Sequence, residues 1–313
     1  MTPRKLSVCF AGFPYAGNGS TSSEHPRIRH WMVDTVLKMR EDERIEHVFH
    51  FDLCDTPITM TRNKAVEQAR LGGADVLVMV DSDQVPDVHL GFDQNAKPFW
   101  DTSFDFLFKH YDRGPVVIAS PYCGPPPVEN VYAFYWHGDE TDAAQDDFKL
   151  EAYSRQEAAQ LSGIIEAGAA ATGLIMYDMR VFDLIEPPYF FYEYKGDGPN
   201  CPHCHQPVAG RQTEKCSTED VTFTREVSHA GIASLGYNPL HINWDAWAGH
   251  AKPKIVGKPN LFKASAVNKR LRRAFEGGAR ENESLMMIGG DNPRFKTQAQ
   301  VQAAVKDNGE PSG

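Results

Sequence analysis

Five consecutive apolar residues, Val76-Leu77-Val78-Met79-Val80, run directly into Asp81-Ser82-Asp83. A strand with no polar residue on either side must be covered on both faces, which places it inside a sheet sandwiched by helices. In open α/β sheets, ligands bind beyond the carboxyl ends of the strands. The acidic triplet, the only Asp-x-Asp in the chain, therefore stands where such a sheet keeps its ligand. Residues two apart in extended backbone point the same way. Asp81 and Asp83 are thus expected to aim two carboxylates together, as hard oxygen ligands for Mg²⁺ or Mn²⁺.

The flanking pattern predicts the rest of the sheet. Residues 6–10 read as a buried strand. Residues 30–40 read as a helix with Trp31, Val33, Val36, Leu37 and Met39 as its apolar face. A second strand follows at 45–51. Thr61 is placed to cap a helix running to Arg70, with Ala65, Val66 and Ala69 turned inward. Residues 116–119 form a fourth strand. Alternating strands and helices with short connections predict an α/β fold, a mostly parallel central sheet with helices on both faces. The second half is less regular. It suggests strands at 131–136 and 173–177, and a loop plus helix in the acidic stretch 138–160. A helix at 179–185 is stopped by Pro187 and Pro188, and another at 218–231 closes on Gly231.

Composition limits the function classes. The net charge of -10 argues against a surface that binds nucleic acid everywhere. The best apolar stretch, 74–80 with Asp75 inside it, is far shorter than the ~20 residues of a spanning helix. The N-terminal apolar stretch stops at Pro14 and does not read as a signal peptide. Six cysteines, three of them clustered, suit a reduced, cytoplasmic compartment with one metal site better than a disulfide framework. That cluster lies in an insertion, 195–217, rich in Gly, Pro, Cys and His. Cys201, Cys204 and Cys216 with His205 make a tetrahedral set for structural Zn²⁺, with His203 or a distant histidine as alternative fourth ligand. Cys9, Cys54 and Cys123 stand apart and are expected to be packed or inert. Residues 252–280 carry nine Lys/Arg against one Glu. The expected organisation is a domain over 1–250, a basic helical extension over 251–288, and a disordered polar tail over 289–313.

Several short motifs occur in order: Thr61-Arg62-Asn63-Lys64-Ala65; the strand with Asp81-Ser82-Asp83 and Pro86; Ser120-Pro121-Tyr122; Ala171-Thr172-Gly173-Leu174 with Arg180-Val181-Phe182; Glu219-Asp220 with Phe223; and Trp247-Ala248-Gly249-His250. Together, from about residue 6 to 250, they resemble nucleotide-sugar glycosyltransferases of the GT-A (Rossmann-like) fold, in particular family-2-like members, including small phage-encoded ones. The Cys/His insertion and the basic extension depart from that pattern. The resemblance implies a nucleotide-sugar donor contacted by Pro14, Tyr15, Arg62, Asn63, Asp81 and Ser82. It implies a divalent cation held by Asp83, with Asp81 on the ribose or in the metal shell and His250 as a third protein ligand. Imidazole favours Mn²⁺ over Mg²⁺. His241 is the competing ligand.

The resemblance further implies that Asp220 is the general base of an inverting transfer. Glu219 and Asp220 also suit the first turn of a helix, where the macrodipole favours acids. The basic extension raises DNA, through a modified base, as the acceptor, with acidic lipid or a solvated helix face as alternatives. Two other classes are a zinc-loop nucleic-acid-binding protein and a sugar-nucleotide-binding protein that has lost turnover. The oligomeric state is not read from the sequence.

Overall fold

The computed structural model describes residues 4–14, 16–17, 21–22, 25–53, 57–124, 129–137, 149–195, 214–252 and 254–256. The strands are β1 (Leu6–Phe13), β2 (Ala16–Gly17), β3 (Thr21–Ser22), β4 (Ile45–Asp52), β5 (Val76–Asp81), β6 (Gln84–Val85), β7 (Val117–Ala119), β8 (Ala133–His137), β9 (Lys149–Ala152), β10 (Ile164–Glu166), β11 (Ala169–Ala170), β12 (Leu174–Asp178), β13 (Glu193–Lys195), β14 (Glu214–Ser217), β15 (Leu240–Asn243), β16 (Gly249–Lys252) and β17 (Lys254–Val256). The helices are α1 (Pro26–Glu41), α2 (Ile58–Leu71), α3 (Phe99–His110), α4 (Arg155–Ala158) and α5 (Glu219–Leu235).

Seven strands make one sheet in the order β10-β15-β7-β12-β5-β1-β4. Five of them run the same way. β12 is antiparallel to both its neighbours, and β10 is antiparallel to β15. The uniformly apolar strand is central and fully covered, as expected. Val76, Val78 and Val80 pack on the face under α1 and α3, and Leu77 and Met79 on the face under α2 and α5. No helix among the described residues is long and apolar enough to cross a membrane.

Four local expectations are corrected. Helix α1 buries Ile28, Trp31, Met32, Thr35 and Met39, and leaves Val33 and Leu37 exposed. Val33 lies two residues, about 200° of turn, from Trp31, so the two cannot share a face. Helix α2 starts at Ile58 with Pro57 at its cap. Thr61 sits inside it, its hydroxyl 3.5 Å from the Pro57 carbonyl. Residues 179–183 form a short 3-10 turn instead of an α-helix. Helix α5 continues past Gly231 to a cap at Gly236 with φ 74°. Gly231 is glycine for packing, because a Cβ there would meet the Pro239 ring.

Cys9 and Cys123 are buried free thiols, and burial pushes the Cys123 pKa up to about 12, consistent with inert core residues. Tyr15, Cys54, Cys201, His203, Cys204, His205, nearly all of the basic extension and the whole 289–313 tail lie outside the described residues. Cys216 lies on β14, where its backbone alone is described.

Candidate functional site

The end of β5 pairs with the end of β1, Asp81 opposite Phe13, so Pro14 leaves the sheet at the same edge as the acidic triplet. The chain turns there. Ser82 O accepts from His25 N at 3.0 Å, and Asp83 O accepts from Ala251 N at 2.7 Å. This turn breaks the extended geometry that would have pointed Asp81 and Asp83 the same way. Asp81 faces Arg62 and Asp83 faces His250. The second contact comes from β16 pairing antiparallel with β6, which sets His250 opposite Gln84, next to Asp83 in the chain.

Arg62 is the hub of the site. Its Nη2 donates to both oxygens of Asp81, at 2.9 and 3.1 Å, and its Nη1 donates to Glu219 Oε1 at 3.0 Å. Its side chain is 3% exposed. Burial opposes its charge, but Asp81, Asp220 and Glu219 outweigh that and hold it protonated. The Phe190 ring lies 5.9 Å from the guanidinium carbon. Asp81 is pushed up to about 6, first by burial and further by Asp83 and Asp220, while Arg62 pulls the other way. A carboxyl whose native pKa is raised holds its proton more tightly folded than unfolded. Its contribution to stability is therefore full below about pH 4 and is lost as pH rises through about 6. In cation-free protein the Asp81 carboxyl carbon should titrate by NMR with a midpoint near 6, and Asp83→Asn should lower it. A midpoint at the ordinary value of about 3.9 would contradict this environment.

His250 Nδ1 lies 2.9 Å from the Cys123 carbonyl oxygen. A carbonyl only accepts, so Nδ1 carries the hydrogen and the lone pair of the neutral ring is on Nε2, 3.4 Å from Asp83 Oδ2. Metal-binding histidines are commonly oriented in this way, by donating the other ring N–H to a carbonyl. Adjacent ligands of an octahedral Mg²⁺ or Mn²⁺ lie about 3 Å apart. One carboxylate and one tautomer-fixed imidazole at this spacing fit a divalent cation. Among the described residues no three His, Cys, Asp or Glu side chains are already gathered for a metal, since Asp81 is engaged by Arg62. The competing His241 lies three strands from β5, on β15 between β10 and β7. It lines a cavity of about 450 Å³ with Phe106, His110 and Val116, and burial lowers its pKa to about 4.

Asn63 has no capacity left for a ligand. Its amide donates to the carbonyls of Thr59 and Phe190, and its oxygen accepts from Tyr189 N and Phe190 N. It clamps the 189–190 segment to α2. Asp220 lies in the first turn of α5, where Oδ1 accepts from Val221 N at 2.8 Å. The N-cap Thr218 makes no side-chain capping bond, so this acid answers the unpaired N–H groups of the helix start.

The sequence reading did not assign four further groups. Glu219 is the second carboxylate on Arg62. Tyr122 is buried, packs edge-on to His250 at 5.2 Å, and keeps its proton because burial and the charges of Asp220 and Asp81 raise its pKa. Among the described residues the buried Tyr177 hydroxyl has no hydrogen-bond partner, and neither do Gln84 Oε1, the Thr172 and Thr222 hydroxyls or Arg62 Nε. Asp52 ends β4 beside Gly12, held by His50 at 3.0 Å and Arg29 at 3.2 Å, at the same carboxyl edge of the sheet. An acid at the end of the neighbouring parallel strand was a signal available for Asp52. For Glu219 there was none, since its partner lies 157 residues away.

No family model matches the chain, and no curated protein matches it. Among solved structures it is similar to A197 from STIV, at 13% identity and TM-score 0.42, covering 82% of this chain and 95% of that one. It is similar to a Bacillus anthracis protein described as a glucose-1-phosphate thymidylyltransferase, in complex with a sucrose, at 12% identity and TM-score 0.37, covering 85% and 95%. It is also similar to apo UDP-glucose pyrophosphorylase, at 8% identity and TM-score 0.36, covering 85% and 98%. At these scores the likenesses carry no argument about activity.

Proposed function

We propose that this chain is a metal-dependent glycosyltransferase, moving a sugar from a nucleotide-sugar donor to an acceptor hydroxyl with inversion. The observation that carries the reading is the convergence of Asp81, Asp83, His250, Arg62 and Asp220 at the carboxyl edge of the central sheet. A sugar diphosphate is an anion, and a site with four carboxylates around one arginine repels it unless a cation joins. Asp83 and His250 would hold that cation, and Asp81 stands beside them. When bound it supplies charge neutralisation for the leaving diphosphate. Asp220 takes the proton of the attacking hydroxyl. Arg62 ties the donor-side Asp81 to α5, which carries Asp220, so the two halves of the site keep their spacing. Tyr122, beside His250, keeps water from that side of the cleft.

The test is donor hydrolysis, which needs no knowledge of the acceptor. Excess EDTA should abolish turnover and Mn²⁺ restore it. Asp83→Asn should lose about 100-fold or more, the equivalent of about 2.7 kcal/mol in the transition state. Full activity in EDTA, or in that variant, would refute the cation role.

The insertion at 195–217 is proposed to hold one structural Zn²⁺ through Cys201, Cys204, Cys216 and His205. Protein purified without chelators should contain about one zinc, and Cys201→Ser with Cys204→Ser should release it and lower the melting temperature. Elemental analysis finding no zinc ends that proposal. DNA as acceptor rests on the basic segment 252–280, which lies almost entirely outside the described residues. A steep loss of DNA affinity with salt is its signature.

A further inference from the structure

β12 pairs with β5 on one side and with β7 on the other, antiparallel to both, so β7 runs parallel to β5. Met79 and Ala119 both pair with Ile175 across it. Tyr122, three residues past Ala119, therefore leaves the sheet about level with Ser82, three residues past Met79. Ligands of open α/β sheets lie at that edge. The segment is fixed there. Ser120 Oγ donates to the Ala246 carbonyl at 2.6 Å, Pro121 O accepts from Ala248 N at 3.0 Å, and Tyr122 O accepts from Tyr132 N at 3.2 Å. The Tyr122 ring meets His250 edge-on at 5.2 Å and Tyr132 edge-on at 5.5 Å, and the residue is only 6% exposed.

The Tyr122 hydroxyl makes no hydrogen bond among the described residues, and unlike that of Tyr177 it is not sealed in. A buried ring gripped on two sides, with its one polar atom unpartnered and open, is placed for a ligand. The charges that act on it are Asp220, Asp81, Arg62 and Asp83. Three carboxylates against one guanidinium, itself spent on Asp81 and Glu219, repel a phosphate and leave a neutral polar group as the partner. Asp220 lies on α5 and Asp83 beside His250, so this hydroxyl belongs to the space between the proposed base and the proposed cation. Inversion needs the attacking hydroxyl and the leaving diphosphate on opposite faces of the anomeric carbon. With one on Asp220 and the other on the cation, the transferred sugar fills that space. We propose that the Tyr122 hydroxyl binds a hydroxyl group of the transferred sugar, donating and accepting as a neutral phenol does. The assignment rests on the transferase reading.

Calorimetry with Mn²⁺ on the full chain, unchanged and as Tyr122→Phe, compares UDP with UDP-glucose, GDP with GDP-mannose and dTDP with dTDP-glucose. The variant removes one oxygen that has no partner inside the protein, so the melting temperature should hold. For the nucleotide that binds, Tyr122→Phe should weaken the nucleotide-sugar about fivefold, the worth of one neutral hydrogen bond, and leave the nucleoside diphosphate within about twofold. A structural role, acting through His250 and the cation, would weaken both alike. That result, or no change in either, overturns the sugar contact. If the nucleotide-sugar binds and is hydrolysed while the variant changes neither property, the contact falls and the transferase reading stands. If none of the six compounds binds with Mn²⁺, the transferase reading fails and the contact with it.

Discussion

Asp220→Asn is expected to bind the nucleotide-sugar as the unchanged protein does and to transfer sugar about 10²–10⁴-fold more slowly. Asp220 opens α5, while Asp81 and Asp83 lie at the end of β5. A group that acts only on the acceptor proton contributes in the transition state, so its loss lowers kcat with little change in donor KM. The neighbouring acid, an obvious control from sequence, is not neutral. Glu219 is bonded to Arg62 at 3.0 Å, so Glu219→Gln removes half of the pairing of a buried arginine. The better comparison within the Asp220→Asn variant is donor hydrolysis by water against transfer to an acceptor, since only transfer is expected to need the base for its acceptor hydroxyl. Normal transfer by Asp220→Asn would remove Asp220 as base, and a product with the donor's anomeric configuration would remove the inverting mechanism.

Arg62→Met is expected to destabilise the fold by about 3–5 kcal/mol in urea unfolding, the usual result of leaving buried charges without their partner. Glu219 is nearly buried and loses its arginine. Asp81 keeps 24% of its side chain exposed, so water compensates part of its loss and the lower half of the range is expected. Adding Asp81→Asn and Glu219→Gln to Arg62→Met should recover stability, because the charges and not the volume carry the penalty. A loss below about 1 kcal/mol, typical of a surface pair, would mean that the cluster is solvated in solution.

Much of the sheet was legible because it follows from local pattern. Residues 76–80 have no polar face, and a strand of that kind has one place in an α/β fold. Ala65, Val66 and Ala69 recur at helical spacing and are buried as expected. The edge at which Asp81 stands also followed, since Asp81 comes directly after that strand. What failed was side-chain direction wherever the backbone turns or the face of a helix is set by its neighbours. Val33 and Leu37 are as apolar as the residues α1 buries, and only the position of the helix over the sheet separates them.

The sequence by itself determined which residue types stand at the carboxyl edge, and that the edge exists. Tertiary structure alone decided their partners. His241 and His250 are equivalent in sequence. One is placed three strands from β5 by β15, between β10 and β7, and the other is set against Asp83 by the pairing of β16 with β6. Asp81 and Asp83 were paired by spacing, yet the turn after β5 gives one to Arg62 and the other to His250. Glu219 is bound to an arginine 157 residues away. Periodicity records how a segment buries itself over a few residues. An ion pair forms where two segments distant in sequence are brought together by the packing of the whole core, and no local pattern encodes that meeting.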